Sequence, residues 1–166
     1  ARGVRALSIG TYGRIAQAET ATVRGLLAAA DYFFMNENEA RYVLGPGEPS
    51  DAVNRPGLAR IATFVTQAER GAWAISKGRA CRAPAAPAVE VDPTGAGDVF
   101  AASFFIKATD RNVSAVNAAR FANAVAALSL ITCADADVAH HIKLIFRRVF
   151  RVHVVHMLNV TVGLRK

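Results

Sequence analysis

The sequence predicts an α/β fold: a mostly parallel sheet in three layers, with helices on both faces. Three observations point to it. Short apolar runs of strand length alternate with stretches of helical period. A glycine-rich turn, Gly95-Ala96-Gly97, joins a strand-like run to an apolar, helix-like one. The segment after Ser114 carries Ala118, Ala119, Ala122, Ala124, Ala126 and Ala127, small residues that let a helix lie close on a sheet.

Composition sets the outer bounds. Of the 166 residues 52% are apolar and 20% charged, which suits one globular domain and excludes a disordered chain. No basic-then-apolar leader is present, and no apolar run reaches the ~18 residues that a membrane span needs. Cys81 and Cys133 lie far apart without metal-ligand spacing, so they read as reduced thiols and a cytoplasmic location is expected.

In chain order, Val4 to Ile9 reads as a short buried strand. Thr20 or Thr22 caps a helix that runs through Val23, Leu26, Leu27 and Ala30 on one apolar face. Tyr32 to Met35 is a buried strand. Asn36-Glu37-Asn38-Glu39 opens the next helix, which ends near Gly45; Asn36 and Glu39 have capping-box spacing. Gly45 to Ser50 is a surface loop. Arg60 to Thr66 is rich enough in β-branched residues for a strand. Gly71 to Ser76 and Arg79 to Pro84 form a hairpin about Lys77-Gly78, with Trp73 packed at its core or rim. Pro84 to Pro87 is an extended connector to a strand at Ala88 to Val91. A helix over Val99 to Ile106 follows, then a turn at Asp110-Arg111-Asn112 and a helix from Ala115 to about Ile131 capped by Ser114.

The chemistry centres on the turn. A glycine-rich entry to a helix presents free N–H groups at the positive end of the helix dipole, where phosphate oxygens bind. Asp98 falls in the first helical turn. It is either a general base for phosphoryl transfer or a plain N-terminal aspartate that satisfies orphan N–H groups.

The longer run Asp92-Pro93-Thr94-Gly95-Ala96-Gly97-Asp98-Val99-Phe100 resembles the C-terminal signature of the ribokinase/PfkB family of carbohydrate kinases. The resemblance implies a Rossmann-like, ribokinase-like sheet with its active site at the carboxyl ends of the strands. It implies Asp98 as catalytic base, the amides of Gly95, Ala96 and Gly97 as the anion hole, and Asp92 and Thr94 beside a monovalent cation such as K⁺. Asn36 and Glu39 match the family's Asn-x-x-Glu element, which lies near the nucleotide phosphates and Mg²⁺, partly through water. Thr66 and Gly71 match a Thr-x-Gly-x-x-Gly loop that contacts the phosphates of ATP. Ala68 stands where that loop usually has glycine, and a positive φ there would strain it by roughly 1 kcal/mol. Asn123 matches a polar position at the adenine site; its other reading is a solvent-facing helix residue.

The resemblance covers about residues 4–132, the family's C-terminal half. It therefore implies a fold truncated at its N-terminal side, without the half that supplies most of the sugar site, and an inactive fragment. An unpaired inner strand edge is expected, which favours homo-oligomers or aggregation. From Cys133 the pattern stops. Residues 1–137 hold 14 Lys/Arg against 13 Asp/Glu, whereas residues 138–166 hold 6 Lys/Arg and no acid. So abrupt a change is what a shifted reading frame would leave, and this tail is expected to stand outside the α/β core.

Three functions are in play: an ATP- and Mg²⁺-dependent sugar kinase, a nucleotide-binding remnant without turnover, and a scaffold whose basic tail binds polyanions. The first implies a small sugar as partner, with neither nucleic acid nor membrane.

Overall fold

The computed structural model describes residues 6–55, 57–58, 60–88, 95–108, 112–132, 153–155 and 160–163. A parallel centre carries the sheet. Strand β1 (Ala6–Gly10) pairs with β2 (Tyr32–Asn36), and β2 with β3 (Ala62–Thr66), all in one direction. The hairpin β4 (Ala72–Ser76) and β5 (Arg79–Ala83) continues the sheet antiparallel to β3. Its turn is Lys77-Gly78 with φ of +51° and +70°, the left-handed pair that a two-residue hairpin needs.

Helices α1 (Gly13–Ala18), α2 (Thr20–Leu27) and α3 (Glu37–Val43) precede helices α4 (Ala96–Ala108) and α5 (Ala115–Thr132). The period of two along β2 separates the layers. Phe33 and Met35 join Val23, Leu27, Ala40 and Val43 in one core. Phe34, between them, joins Phe64, Phe100, Phe104, Ala118 and Ala122 in the other. The three-layer α/β architecture expected from the sequence is therefore the one formed, and the alanine face of α5 is fully buried at Ala118, Ala119 and Ala122. Ser114 caps α5, its hydroxyl accepting from the Asn117 N–H. Trp73 packs against the first core.

Some details differ from the sequence reading. α1 was not expected. Neither Thr20 nor Thr22 caps α2: its N-cap is Glu19, and the Thr20 hydroxyl donates back to the Ala16 carbonyl. A 3₁₀ helix, Pro49–Asn54, occupies the stretch after the glycine-rich loop. The strand expected at Ala88 to Val91 and the turn at Asp110-Arg111 lie outside the described residues, apart from Ala88 itself.

The tail departs further. Strand β7 (Val160–Gly163) runs antiparallel to β1, Ile9 opposite Val160 and Ala6 opposite Gly163, and β6 (His153–Val155) pairs with β7. Residues 153–155 and 160–163 of the tail thus extend the sheet instead of standing apart from it. The physical reason is the edge of β1, whose N–H and C=O groups need partners that a β-branched segment supplies. The open edge on which oligomerisation was argued is taken by β7. Among the described residues no helix is long and apolar enough to cross a membrane.

One glycine fixes how the hairpin meets the rest. Gly71 has φ +88°, and a Cβ there would stand 2.2 Å from the Ala83 carbonyl oxygen and 2.6 Å from the Ala85 nitrogen. Both are backbone atoms that cannot step aside. Gly71→Ala is expected to cost at least ~2 kcal/mol. Gly25 lies inside α2 with nothing within 4 Å of a built Cβ. Gly25→Ala is therefore expected to stabilise by roughly 0.5–1 kcal/mol. Urea denaturation of both variants checks the pair, and equal effects would contradict it.

Candidate functional site

The parallel register brings two sequence-distant motifs side by side. Asn36 at the end of β2 is the register partner of Thr66 at the end of β3. Asn36 is also the N-cap of α3. Its Oδ1 accepts from the Glu39 N–H at 2.9 Å. Its own N–H donates to Glu39 Oε2 at 2.9 Å, and its Nδ2 donates to Oε1 at 2.8 Å. The capping box read from the sequence is present, and it carries a third bond that spacing does not reveal.

That arrangement buries a carboxyl group. Glu39 is only 4% exposed. Burial pushes its pKa from an ordinary 4.5 up to about 7, against the pull of the Asn36 backbone and side-chain hydrogen bonds. The charge of Asp98 pushes the same way. Asp98 therefore stands within electrostatic reach of Glu39, although it comes from the other face of the sheet.

Asp98 lies exposed in the first turn of α4, as expected. Gly95 ahead of it has φ +84°, and its carbonyl accepts from the Val99 N–H at 3.0 Å, opening the helix. Apart from the chain neighbours and the helix's own backbone, no described atom lies within 4 Å of a Cβ built on Gly95 or Gly97. Ala96 between them is half-buried. Asp92 and Thr94, expected beside a monovalent cation, lie outside the described residues.

The loop after β3 is closed on itself. Gln67 N–H donates to the Gly71 carbonyl at 2.7 Å, Arg70 N–H to Gln67 at 2.9 Å, and Gly71 N–H to Ala68 at 3.0 Å. Ala68 has φ +47°, so the position that the family fills with glycine does take the left-handed conformation here.

Asn123 departs from its solvent-facing reading. It is 9% exposed, and its Nδ2 donates to the Ala83 and Pro84 carbonyls at 3.0 Å each. Both amide hydrogens are thus spent on holding the end of β5 to α5. The sequence reading missed Glu37, Gln67 and Arg70. Glu37 accepts from Gln67 Nε2 at 3.4 Å and from Arg70 Nη2. The Arg70 hydrogen bond holds the Glu37 carboxyl below the usual carboxylate range; the Arg70 and Arg41 charges and the Gln67 bond add to it, and desolvation opposes it. Glu37 and Arg70 are 33 positions apart, and no local spacing signals the pair. Among the described residues no group of three or more His, Cys, Asp or Glu is arranged to hold a metal by itself.

The chain is similar to known proteins in sequence and in fold. Residues 14–137 match the family model described as pfkB family carbohydrate kinase. A fructokinase of Klebsiella pneumoniae is 36% identical over 78 residues, which are 46% of this chain and 25% of that protein. A PfkB protein from Polaromonas superposes with a TM-score of 0.65 at 19% identity, over 77% of this chain and 43% of that one. Adenosine kinase from Sinorhizobium meliloti gives 0.65 at 23% identity, over 74% and 38%. A fructokinase double mutant from Vibrio cholerae, bound to fructose, ADP and potassium ion, gives 0.60 at 22%, over 69% and 39%. These structural likenesses show a shared fold. The chain spans a quarter of the curated relative's length and about two fifths of that of the solved structures.

Glu39 makes the site pH-sensitive. Its folded pKa lies above its unfolded value, so the native state holds the extra proton between the two. The contribution to stability is complete below about pH 4.5 and is lost as pH rises through about 7. Full expression amounts to a loss on the order of 3 kcal/mol. Glu39→Gln keeps a capping-box residue without the titration. Its melting temperature relative to the wild type is expected to be higher at about pH 8 than at about pH 5. Parallel pH profiles for the two proteins would refute the assignment.

Proposed function

The chain belongs to the pfkB family of carbohydrate kinases, and from that premise we propose that it forms the nucleotide-binding and catalytic-base half of an ATP-dependent sugar kinase. One observation carries the reading. A Cβ built on Gly95 or Gly97 would meet no described atom within 4 Å beyond the chain neighbours and the helix's own backbone, and Asp98 follows in the first turn of α4. A helical glycine costs roughly 1 kcal/mol against alanine. Nothing in the described packing requires one at Gly97, whereas the close approach of an anion to backbone N–H groups does.

On this reading Asp98 takes the proton from the acceptor hydroxyl as that oxygen attacks the γ-phosphoryl group. Its exposure and its place at the start of α4 suit that work. The N–H groups of Gly95, Ala96 and Gly97 meet the charge that develops on the transferred group. Thr66 and Gly71 hold the remaining phosphates from the end of β3. Mg²⁺, when bound, would supply neutralisation of the phosphate charge. Glu39 would hold such a cation, through water as the resemblance implies; each of its oxygens accepts one bond from Asn36 and keeps a further lone pair. A dication nearby would also favour the ionised form that burial opposes. Asn36 orients Glu39, and Asn123 braces the β5 end. Asp92 and Thr94 belong to the K⁺ site of this reading. The exposed Cys81 thiol and the use of ATP suit a cytoplasmic setting.

A second reading, nucleotide binding without turnover, draws on the span of the chain, about two fifths of the solved relatives. The family resemblance implies that the acceptor site lies largely in the part that those relatives have in addition. Bringing acceptor and phosphate together can supply roughly 7–11 kcal/mol of barrier lowering, and a half-site forgoes it.

Two assays separate the readings. The 166-residue chain is expected to bind ATP with Mg²⁺ and to release no sugar-dependent ADP. Joined behind the N-terminal half of a full-length relative, it is expected to turn over. There Asp98→Asn should lower turnover ~10²-fold or more with little change in ATP affinity. Near-normal turnover in that variant removes Asp98 from the chemistry. Sugar-dependent ADP release by the chain alone removes the division between halves.

A further inference from the structure

The loop from Thr66 to Gly71 holds a conformation that its sequence opposes. Ala68 sits at φ +47°. A left-handed alanine is disfavoured roughly five- to thirtyfold against its ordinary conformations. Three backbone hydrogen bonds close the loop from inside, through the N–H groups of Gln67, Arg70 and Gly71. Such bonds can open together, and alone they leave the strain free to open them.

From outside, one carboxylate reaches both flanks of Ala68. Glu37, in the first turn of α3, accepts from Gln67 Nε2 and from Arg70 Nη2. Gln67 is 3% exposed, so its side chain cannot swing away without emptying a packed site. Arg70 is held at two further points: its guanidinium lies 4.0 Å from Glu48, and its carbonyl accepts from Arg82 Nε at 3.3 Å. An exposed ion pair by itself contributes little. This one differs because a single group on a packed helix ties a residue on each side of the strained one.

We propose that Glu37 is a positioning residue of the nucleotide site: by bridging Gln67 and Arg70 across Ala68, it holds the 66–71 loop in the shape that a glycine at position 68 would adopt unaided. The bridging concerns the loop alone; its bearing on nucleotide rests on the function proposed above.

Four versions of the full chain test this: wild type, Glu37→Gln, Ala68→Gly, and the double variant. The first readout is hydrogen exchange at the N–H groups of Gln67, Arg70 and Gly71. Glu37→Gln is expected to speed exchange there roughly five- to thirtyfold, while exchange along β2 stays unchanged. Ala68→Gly relieves the strain, so adding Glu37→Gln to it is expected to change exchange less than about twofold. A merely structural role for Glu37 would act equally in both backgrounds, and that result overturns the proposal. So does a loop indifferent to Glu37→Gln. The second readout is titration with ATP and Mg²⁺. Affinity is expected to fall in Glu37→Gln and to recover in the double variant. If the loop loosens as expected while ATP affinity stays the same in all four, this loop does not meet the nucleotide, and Glu37 positions nothing in that site. If the wild type binds no ATP, the function proposed above fails, while the exchange data still decide the bridge.

Discussion

The interaction on which the rest depends is an aromatic wedge between the sheet and α4. Phe34 on β2 and Phe64 on β3 stack with ring centres 5.0 Å apart and planes 15° from parallel. Phe104 sits 4.3 Å from Phe64 and 5.7 Å from Phe34, and Phe100, one turn earlier on α4, lies 6.2 Å from Phe34. Edge and offset contacts of this kind have preferred geometry, so they set a helix's direction as well as its affinity. With Phe100 and Phe104 fixed on β2 and β3, the first turn of α4 stands at the carboxyl ends of those strands. Asp98 meets the neighbourhood of Glu39 for that reason. The two carboxyl groups belong to opposite layers, and only the docking of α4 brings them within reach of each other.

A second constraint follows. The site places a carboxyl group, Glu39, where water hardly reaches, close to another negative group. Such a placement costs free energy unless bonds offset it. Asn36 offsets it with a backbone N–H and a side-chain N–H, and it takes the Glu39 N–H in return. The capping and functional readings of Asn36-x-x-Glu39 are thus compatible. The cap makes the buried carboxyl tolerable, and the burial leaves it responsive to a cation. A pKa of about 7 is the mark of that compromise.

The loop after β3 shows how a sequence can depart from a pattern and keep its shape. Alanine at position 68 is the wrong residue for a left-handed turn, yet the turn is there. Neighbours on several sides hold it, Glu37 among them. Gly71 lets the backbone of Ala83 to Ala85 press against the loop, and Arg82, paired across the hairpin with Trp73, reaches back to the Arg70 carbonyl. Strain of this kind persists where the surroundings hold it from several sides.

What the sequence by itself determined is local. Apolar runs marked β2 and β3, the Lys77-Gly78 pair marked the hairpin, Asn36 and Glu39 marked a capping box, and Gly95 to Asp98 marked a helix entry. Each of these rests on backbone preferences or spacings within a few residues, which is the range over which a sequence can be read directly. Ala68 was legible too, as a conflict between residue type and required φ. Tertiary structure decided the rest. Asn36 lies beside Thr66 because β2 and β3 are parallel in that register. Glu37 meets Arg70, and Asn123 meets the β5 end, because α3 and α5 pack where they do. The tail joins β1 because a free strand edge takes whatever extended partner reaches it. These contacts join residues tens of positions apart, and they exist only after burial of the two cores has chosen one arrangement among many that the local preferences allow.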